Sequence, residues 1–415
     1  MKRDNQMDEC KKISLIGDIM CKKDMCKAAK AGNGYDFSPC FQGVKELFSR
    51  SDLVIGNLET PISERNEDLV SRNIRFNAPR EFAEAVYESG IHAVSTANNH
   101  CLDQGIPGIE STIRVLDEIG FLHTGVFQTP NPRRLTLELG EIRIGMLSYT
   151  YGTNAFHNRI FLKETEEWRV NLLQKQELHN PLTRYIYFRR KKLPFYILNK
   201  LWYLFHPQYI GKSICERRQS ESYELSRLKE DIEGRENDGL DFMLMCLHCG
   251  GQYGAKPTKY TMQLEKKLLN AGVNLIIVNH EHVIQGCNLS HISDNQFTAY
   301  CLGNFLGTAG VINEPFGKGA EFSCACHVYL GKTGIQRISF SILKTVPIGE
   351  SGGVGVFPLY DLIRAESSAD RKSRLETELF QGIKRFAGKK FFEDAIRSGE
   401  IQQEYVLYQF SPPNS

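Results

Sequence analysis

Leu275-Ile-Ile-Val-Asn-His-Glu-His-Val283 is an apolar run that ends in two histidines one residue apart. Entered from Asn270-Ala-Gly-Val, the run has no polar alternation, which is the pattern of a central strand of a parallel sheet, buried on both faces. In open α/β sheets, sites lie just beyond the carboxyl ends of the strands, and His280 and His282 stand at that edge. If the backbone stays extended, its period of two puts both imidazoles on one side. There they can hold one metal or a pair. An isolated His-x-His is more often two surface histidines at the start of a loop, so the weight falls on the other strands.

Those strands repeat the pattern. Ile13-Ser-Leu-Ile-Gly-Asp-Ile-Met20 carries Asp18 near its end, although an Asp after a strand also serves as a helix N-cap. Asp52-Leu-Val-Ile-Gly-Asn-Leu-Glu59 ends in Asn57 and Glu59, whose spacing of two puts both on one side of an extended segment. Ile91-His-Ala-Val-Ser-Thr-Ala97 runs into Asn98-Asn-His-Cys-Leu-Asp-Gln-Gly105, poor packing material but good site material. Arg143 to Tyr149 is followed by Thr150-Tyr-Gly-Thr-Asn154. Asp241 to Leu247 runs into His248-Cys-Gly-Gly-Gln-Tyr253, and Thr298 to Leu302 ends at Gly303-Asn304-Phe305. Helical periodicity over Pro79–Ser89, Ile109–Ile119, Tyr223–Asn237 and Thr261–Asn270 separates the strands. Beyond Ala320 strict alternation predicts antiparallel strands, and two charged helices are expected between Tyr360 and Gly399.

At 415 residues, with 41% hydrophobic and 24% charged residues, the chain can bury one large core or two. A formal charge of +2 gives no overall pull toward nucleic acid. The charged N-terminus does not read as a secretory signal, and no apolar stretch reaches membrane-spanning length, so a cytoplasmic protein is expected. In that compartment the twelve cysteines read as reduced thiols.

From Ala155 to about Ser222 the α/β rhythm breaks. Between Arg184 and Arg218 there are nine Lys/Arg and one Glu, a balance of +8, with nine aromatic residues interleaved. This is either an amphipathic insertion packed on the main domain or a basic, aromatic surface for an anionic polymer or a membrane surface.

Ordinary packing does not require polar residues at the same end of successive strands, but Asp18, Asn57 with Glu59, Asn99 with His100, His248, and His280 with His282 all fall there. A binuclear metal centre does require it, with a carboxylate to bridge the ions. An oxygen and nitrogen ligand set without thiolate suits two divalent ions of manganese, iron or zinc.

The ordered set Gly17-Asp18, Asn57-Leu-Glu59, Asn98-Asn-His100 with Asp103 and Gly105, Thr150-Tyr-Gly-Thr-Asn154, His248-x-Gly-Gly-x-Tyr253, His280-x-His282-Val with Gln285, and Leu302-Gly-Asn-Phe305 resembles the CapA family of poly-gamma-glutamate capsule biosynthesis proteins. The resemblance implies a metallophosphatase-like, layered αββα sandwich with mixed sheets, over about residues 13–345. The insertion at about 155–222 interrupts it, and a helical extension is expected over 346–415. It further implies that Asp18 binds the first metal, Glu59 bridges, Asn99 and His248 bind the second, and His280 and His282 complete the two sets, one each. His100 would be the catalytic acid, oriented by Asp103. Asn57, Asn98, Tyr253 and Asn304 would line the substrate side. Two positions depart from the family pattern, Gln252 where a Glu is usual and Glu281 inside the usual His-Pro-His; Met20 stands where metallophosphatases carry a histidine, a loss that the CapA family shares.

The expected activity is metal-dependent hydrolysis of a phosphoester or related anionic substrate by a metal-bound water. A non-catalytic polymer-binding or scaffold role in capsule assembly is the alternative of a different class, favoured by Met20 and the insertion. An amidase acting on gamma-glutamyl bonds is a third.

Overall fold

The computed structural model describes residues 10–63, 75–174, 195–206, 228–233, 238–307, 319–349 and 352–411, with 182 and 185. The basic segment between Arg184 and Arg218 therefore falls largely outside the described residues, as does most of the helix expected over Tyr223–Asn237. The described strands are, in chain order, β1 Lys11–Ile19, β2 Lys30–Ala31, β3 Gly34–Tyr35, β4 Leu53–Leu58, β5 Ala93–Ser95, β6 Leu122–Thr124, β7 Leu135–Leu139, β8 Ile142–Thr150, β9 Phe242–His248, β10 Leu275–Asn279, β11 Cys287–Asn288, β12 Phe297–Ala299, β13 Asn304–Leu306, β14 Phe322–Gly331, β15 Gly334–Ile348, β16 Gly353–Pro358 and β17 Tyr405–Gln409. The longer helices are α1 Lys23–Ala28, α2 Arg80–Glu88, α3 Gly105–Ile119, α4 Phe195–Phe205, α5 Lys259–Asn270, α6 Leu359–Ala365 and α7 Ala369–Ser398.

Apart from the β2–β3 hairpin, these strands form two mixed sheets. The larger runs β16-β15-β14-β1-β4-β5-β6, with β13 paired to β1 and β17 to β15. The smaller runs β11-β12-β10-β9-β8-β7. The continuous apolar runs sit at the centres: β1 is parallel to β4 and β13, and β9 is parallel to β8 and β10. Antiparallel strands, β14 to β16 on one sheet and β7 and β11 on the other, lie outside them.

Period-two alternation sorts the side chains into layers. Ile13, Leu15, Leu53 and Ile55 of the larger sheet meet Ile144, Met146, Leu244, Leu275 and Ile277 of the smaller one in a shared core. Their alternates Ile16, Val54 and Val94 face the other way, onto Phe82 and Val86 of α2. Leu147, Met243, Met245 and Ile276 face outward from the smaller sheet onto Leu264 and Leu268 of α5. The result is the expected layered αββα sandwich, in which the two sheets bury each other and helices bury their outer faces.

Residues 346–415 are not only helical. β16 and β17 both pair with β15, and the expected boundary at 345 falls inside β15. The physical reason is the length of β15. Its fifteen residues leave one stretch, Leu343–Ile348, open to β16 and another, Arg337–Phe340, open to β17. The alternation beyond Ala320 appears as β14 and β15, antiparallel to each other. The chain also contains one Cys-x-x-Cys spacing, Cys246 to Cys249. Its thiols join different core clusters, Cys246 between the sheets and Cys249 beneath α5, so they do not form a metal pair. Among the described residues, no helix is long and apolar enough to cross a membrane.

Candidate metal centre

The strand registers bring the polar residues into two facing rows. Across the larger sheet Asn304, Asp18, Asn57 and Ser95 are partners on successive strands. Across the smaller one Thr150, His248 and Asn279 are partners. Both rows lie at the carboxyl ends of parallel strands, where loops leave the sheet and side chains of neighbouring strands converge.

Close backbone approach builds the first row. At Gly17 a Cβ would lie 1.8 Å from the carbonyl oxygen of Gly303, so only glycine lets β1 run against the chain entering β13. The Asp18 N–H then donates to the Gly303 carbonyl at 3.0 Å. Asn57 Nδ2 donates to Asp18 Oδ1 at 2.7 Å. The other carboxylate oxygen, Asp18 Oδ2, stands 3.1 Å from His282 Nδ1.

The His-x-His pair reaches the site by a different backbone route from the extended one expected. β10 stops at Asn279, and His280 and His282 have φ of 116° and 62°. Left-handed conformations at non-glycine residues are costly and collect at functional sites. Here they turn the two rings inward, with centroids 6.0 Å apart.

Two donor groups result, each with its atoms within 4.8 Å of one another: Asp18, Glu59 and His282, and Glu59, His248 and His280. Glu59 belongs to both. Its Oε1 lies 3.6 Å from His248 Nε2 and 3.8 Å from His282 Nε2. His248 Nε2 is also 2.8 Å from Asn99 Oδ1 and 3.1 Å from His280 Nδ1.

The electrostatics of the cluster suit a divalent cation. Asp18 Oδ2 and both Glu59 oxygens are buried and have no hydrogen-bond partner. Burial, and then the neighbouring Asp18, push the Glu59 carboxyl well above the usual range. Burial and the neighbouring imidazoles push His248 and His280 well down, so both are neutral acceptors at neutral pH. Buried carboxyl oxygens without donors, set beside imidazole rings, are a donor set that suits divalent metal ions.

His100 approaches from the side. Its Nδ1–H donates to Asp103 Oδ2 at 2.6 Å, which leaves Nε2 facing Glu59 Oε1 at 3.9 Å. Asp103 is itself held by the Phe76 N–H at 2.6 Å and by Asn158 Nδ2 at 2.5 Å. The Phe76 ring stacks on His100 at 3.7 Å, nearly parallel.

The four residues expected on the substrate side hold mainly structural contacts. Asn57 bonds Asp18 and lies 3.2 Å from His248 Nδ1. Asn98 Nδ2 donates to the Leu58 carbonyl at 2.7 Å, while its Oδ1 accepts from the His100 N–H. Asn304 Oδ1 stands 2.9 Å from His282 Nδ1, and its Nδ2 donates to the Ala320 carbonyl. Tyr253 is half-buried, its ring 5.8 Å from that of His282.

Sequence reasoning missed Phe76 and Asn158, which reach the site only through folding and carry no motif. It noted Glu281 but not its environment. That carboxyl is buried, with Cys301 and Gln285 as polar neighbours, and burial raises its pKa well above the usual range. It occupies the space where a Cβ at Gly250 would fall, 2.0 Å from its Oε1. Met20 is buried and apolar, so it adds no oxygen or nitrogen ligand.

Comparison with known proteins follows the same span. A family model described as "Bacterial capsule synthesis protein PGA_cap" matches residues 12–309. "Capsule biosynthesis protein CapA" of Bacillus anthracis is 22% identical over 303 residues, covering 72% of this chain and 60% of that protein. "Uncharacterized protein y4sH" of Sinorhizobium fredii is 24% identical over 327 residues, covering 70% of this chain and 65% of that one. "PGA biosynthesis protein CapA" of Bacillus subtilis is 29% identical over 107 residues, 26% of this chain and 27% of that protein. The chain thus spans less than two thirds of the length of the first two relatives. A solved structure from Thermus thermophilus, that of TT1561, aligns over 77% of this chain and 94% of its own at 9% identity, with a TM-score of 0.31 that is too low to carry an argument.

Proposed function

The chain belongs to the PGA_cap family of bacterial capsule synthesis proteins, and from that membership and the buried cluster we propose that it is a metal-dependent hydrolase of a phosphoester or related anionic substrate. One observation carries the reading: three buried carboxyl oxygens, on Asp18 and Glu59, have no hydrogen-bond donor, and they lie among the rings of His248, His280 and His282. Asp18, Glu59 and His282 would hold one ion, and Glu59, Asn99, His248 and His280 the other, with manganese, iron or zinc suiting the donor set. Bound there, the ions supply Lewis acidity that activates water and neutralises charge on the group transferred.

The chain's own residues have separate tasks in this reading. Asn57 and Asn304 fix the rotamers of Asp18 and His282 from opposite sides. Asp103 keeps the His100 proton on Nδ1 and orients the ring, so that Nε2 faces the reacting group and can exchange a proton with the departing oxygen. The Phe76 ring covers one face of His100 and excludes water there. Lys22 Nζ sits 5.2 Å from the centroid of that Phe76 ring and brings a positive charge suited to an anionic substrate.

The test is metal content together with hydrolysis of bis-p-nitrophenyl phosphate by the purified protein. Manganese, iron or zinc should copurify, and activity should fall with chelation and return with metal. Full activity in metal-free protein would end the proposal.

A second reading has a specific observation behind it: the buried, apolar Met20 leaves the first ion one ligand short. The site would then bind without turning over, and the protein would act as a scaffold for an anionic capsule polymer. Metal-loaded protein inert on every ester and on γ-glutamyl amides, yet retaining polyglutamate, would favour it. Cleavage of γ-glutamyl amides alone would favour an amidase built on the same centre.

A further inference from the structure

Helix α4 presents four apolar residues to solvent. Ile197, Leu201, Leu204 and Phe205 are 60%, 47%, 64% and 80% exposed. Their spacing, i, i+4, i+7 and i+8, puts all four on one helical face, so they form a stripe and not a scatter. Single exposed leucines are ordinary on protein surfaces, whereas an in-register stripe marks a surface that something covers. Lys200, exposed beside the stripe, is the only charged residue in Phe195–Phe205. On the other side Trp202 stacks on His206 at 4.0 Å, and the ring nitrogen Nδ1 of His206 donates to the Trp202 carbonyl at 2.8 Å, closing the end of the helix.

Two further facts say what covers the stripe. The sequence flanking it is strongly basic, with nine Lys/Arg against one Glu between Arg184 and Arg218. And eleven residues of helix are roughly 16 Å long, about half the hydrocarbon thickness of a bilayer, so α4 can lie on a membrane but not cross it.

We propose that α4 docks flat on an anionic lipid bilayer, with Ile197, Leu201, Leu204 and Phe205 in the acyl boundary and Lys200 at the headgroups, the attraction to an anionic surface following from the basic sequence around the helix. A polyglutamate chain is the weaker candidate, because it would be held by the charges and would leave the apolar stripe wet. A second copy of this chain is weaker still, because it would bring one segment of +8 against another. The docking is independent of the metal centre, since none of the four side chains belongs to it.

The experiment is cosedimentation of the full chain with vesicles of phosphatidylcholine alone and of phosphatidylcholine mixed with phosphatidylglycerol. Binding to the mixed vesicles should be at least about tenfold tighter, and should weaken as salt rises. Leu204→Glu with Phe205→Glu should weaken it by about tenfold or more while metal content is retained. Phe205→Trp covers the case in which that variant fails to fold: its emission should shift to the blue on mixed vesicles and be quenched by brominated lipid. Four results would each overturn the proposal. They are no binding to either vesicle, binding unchanged in the Glu variant, a concentration-dependent dimer that the Glu variant abolishes, and polyglutamate retention by wild type that the Glu variant lacks.

Discussion

Strand β1 carries two buried polar clusters, one around Ser14 and one around Asp18, and they differ in whether they close. Around Ser14, the hydroxyl lies 2.7 Å from both Ser51 Oγ and His327 Nδ1. His327 Nε2 then lies 3.2 Å from Ser341 Oγ, which donates to the Gln403 carbonyl. Nearby, Glu404 accepts from Lys12, Tyr329 and Ser339. Around Asp18, four residues on, carboxylate oxygens equally buried have no donor. Burial of polar groups is therefore no mark of a site in this molecule. The mark is a polar cluster that stays incomplete within the chain, because an unpaired buried carboxylate costs several kcal/mol unless a cation completes it.

The largest expected difference between the clusters is in chemistry. His280→Ala combined with His282→Ala should lower phosphodiesterase activity on the order of a thousandfold or more and remove bound metal, while circular dichroism stays that of the wild type. If activity survives the loss of both rings, the incomplete cluster is not the site.

Next in size is acid stability, to which His327 of the closed cluster contributes alongside His248 and His280 of the other. Burial, and then the charge of Lys12, pull His327 down to about 3, against an ordinary value near 6.5. Between those values the unfolded chain binds a proton that the folded chain does not, so stability rises with pH across the window. This contribution is complete above about pH 6.5 and is lost as pH falls toward 3, amounting to several kcal/mol. Urea unfolding from pH 7 to 4 should show a steep decline in wild type and a shallower one in His327→Gln. Parallel slopes would sever the link to this ring.

Smaller again is the positioning of His100. Asp103→Asn should lower kcat by roughly ten- to a hundredfold with little change in KM, because a ring that loses its orientation still lets substrate bind. A change in KM alone would place Asp103 in binding instead. The smallest effect is Ser341→Ala, which should cost about 1 kcal/mol in thermal or urea unfolding and leave metal content untouched.

The two clusters were also unequally legible in the sequence. Asp18, Glu59, Asn99, His248, His280 and His282 stand out because each follows an apolar run that needs no polar ending, and parallel sheets bring such endings together. The same runs predict only strands covered on both faces, which a single sheet between helices would also satisfy, so the αββα layering was implied by the resemblance to the CapA family and not by the pattern. His327 does not stand out. It lies inside the alternating strand Phe322–Gly331, where a buried histidine and an outward polar residue look alike until Ser14 and Ser341 are placed beside it. Phe76, Asn158 and the strands β16 and β17 were illegible for a similar reason, because tertiary pairing defines their roles. The φ values of His280 and His282 were hidden too, since only a minority of histidines adopt positive φ and the apolar run before them points to continued extension.

The central claim is that Asp18, Glu59, Asn99, His248, His280 and His282 form one centre for two divalent ions that share Glu59. Calorimetric titration of metal-stripped protein with Mn2+, repeated on Glu59→Gln, tests it most directly. The prediction is two ions bound per wild-type chain and severe weakening of both in the variant, because Glu59 belongs to both donor groups. Failure of wild type to bind, or binding by Glu59→Gln that matches it, would contradict the claim.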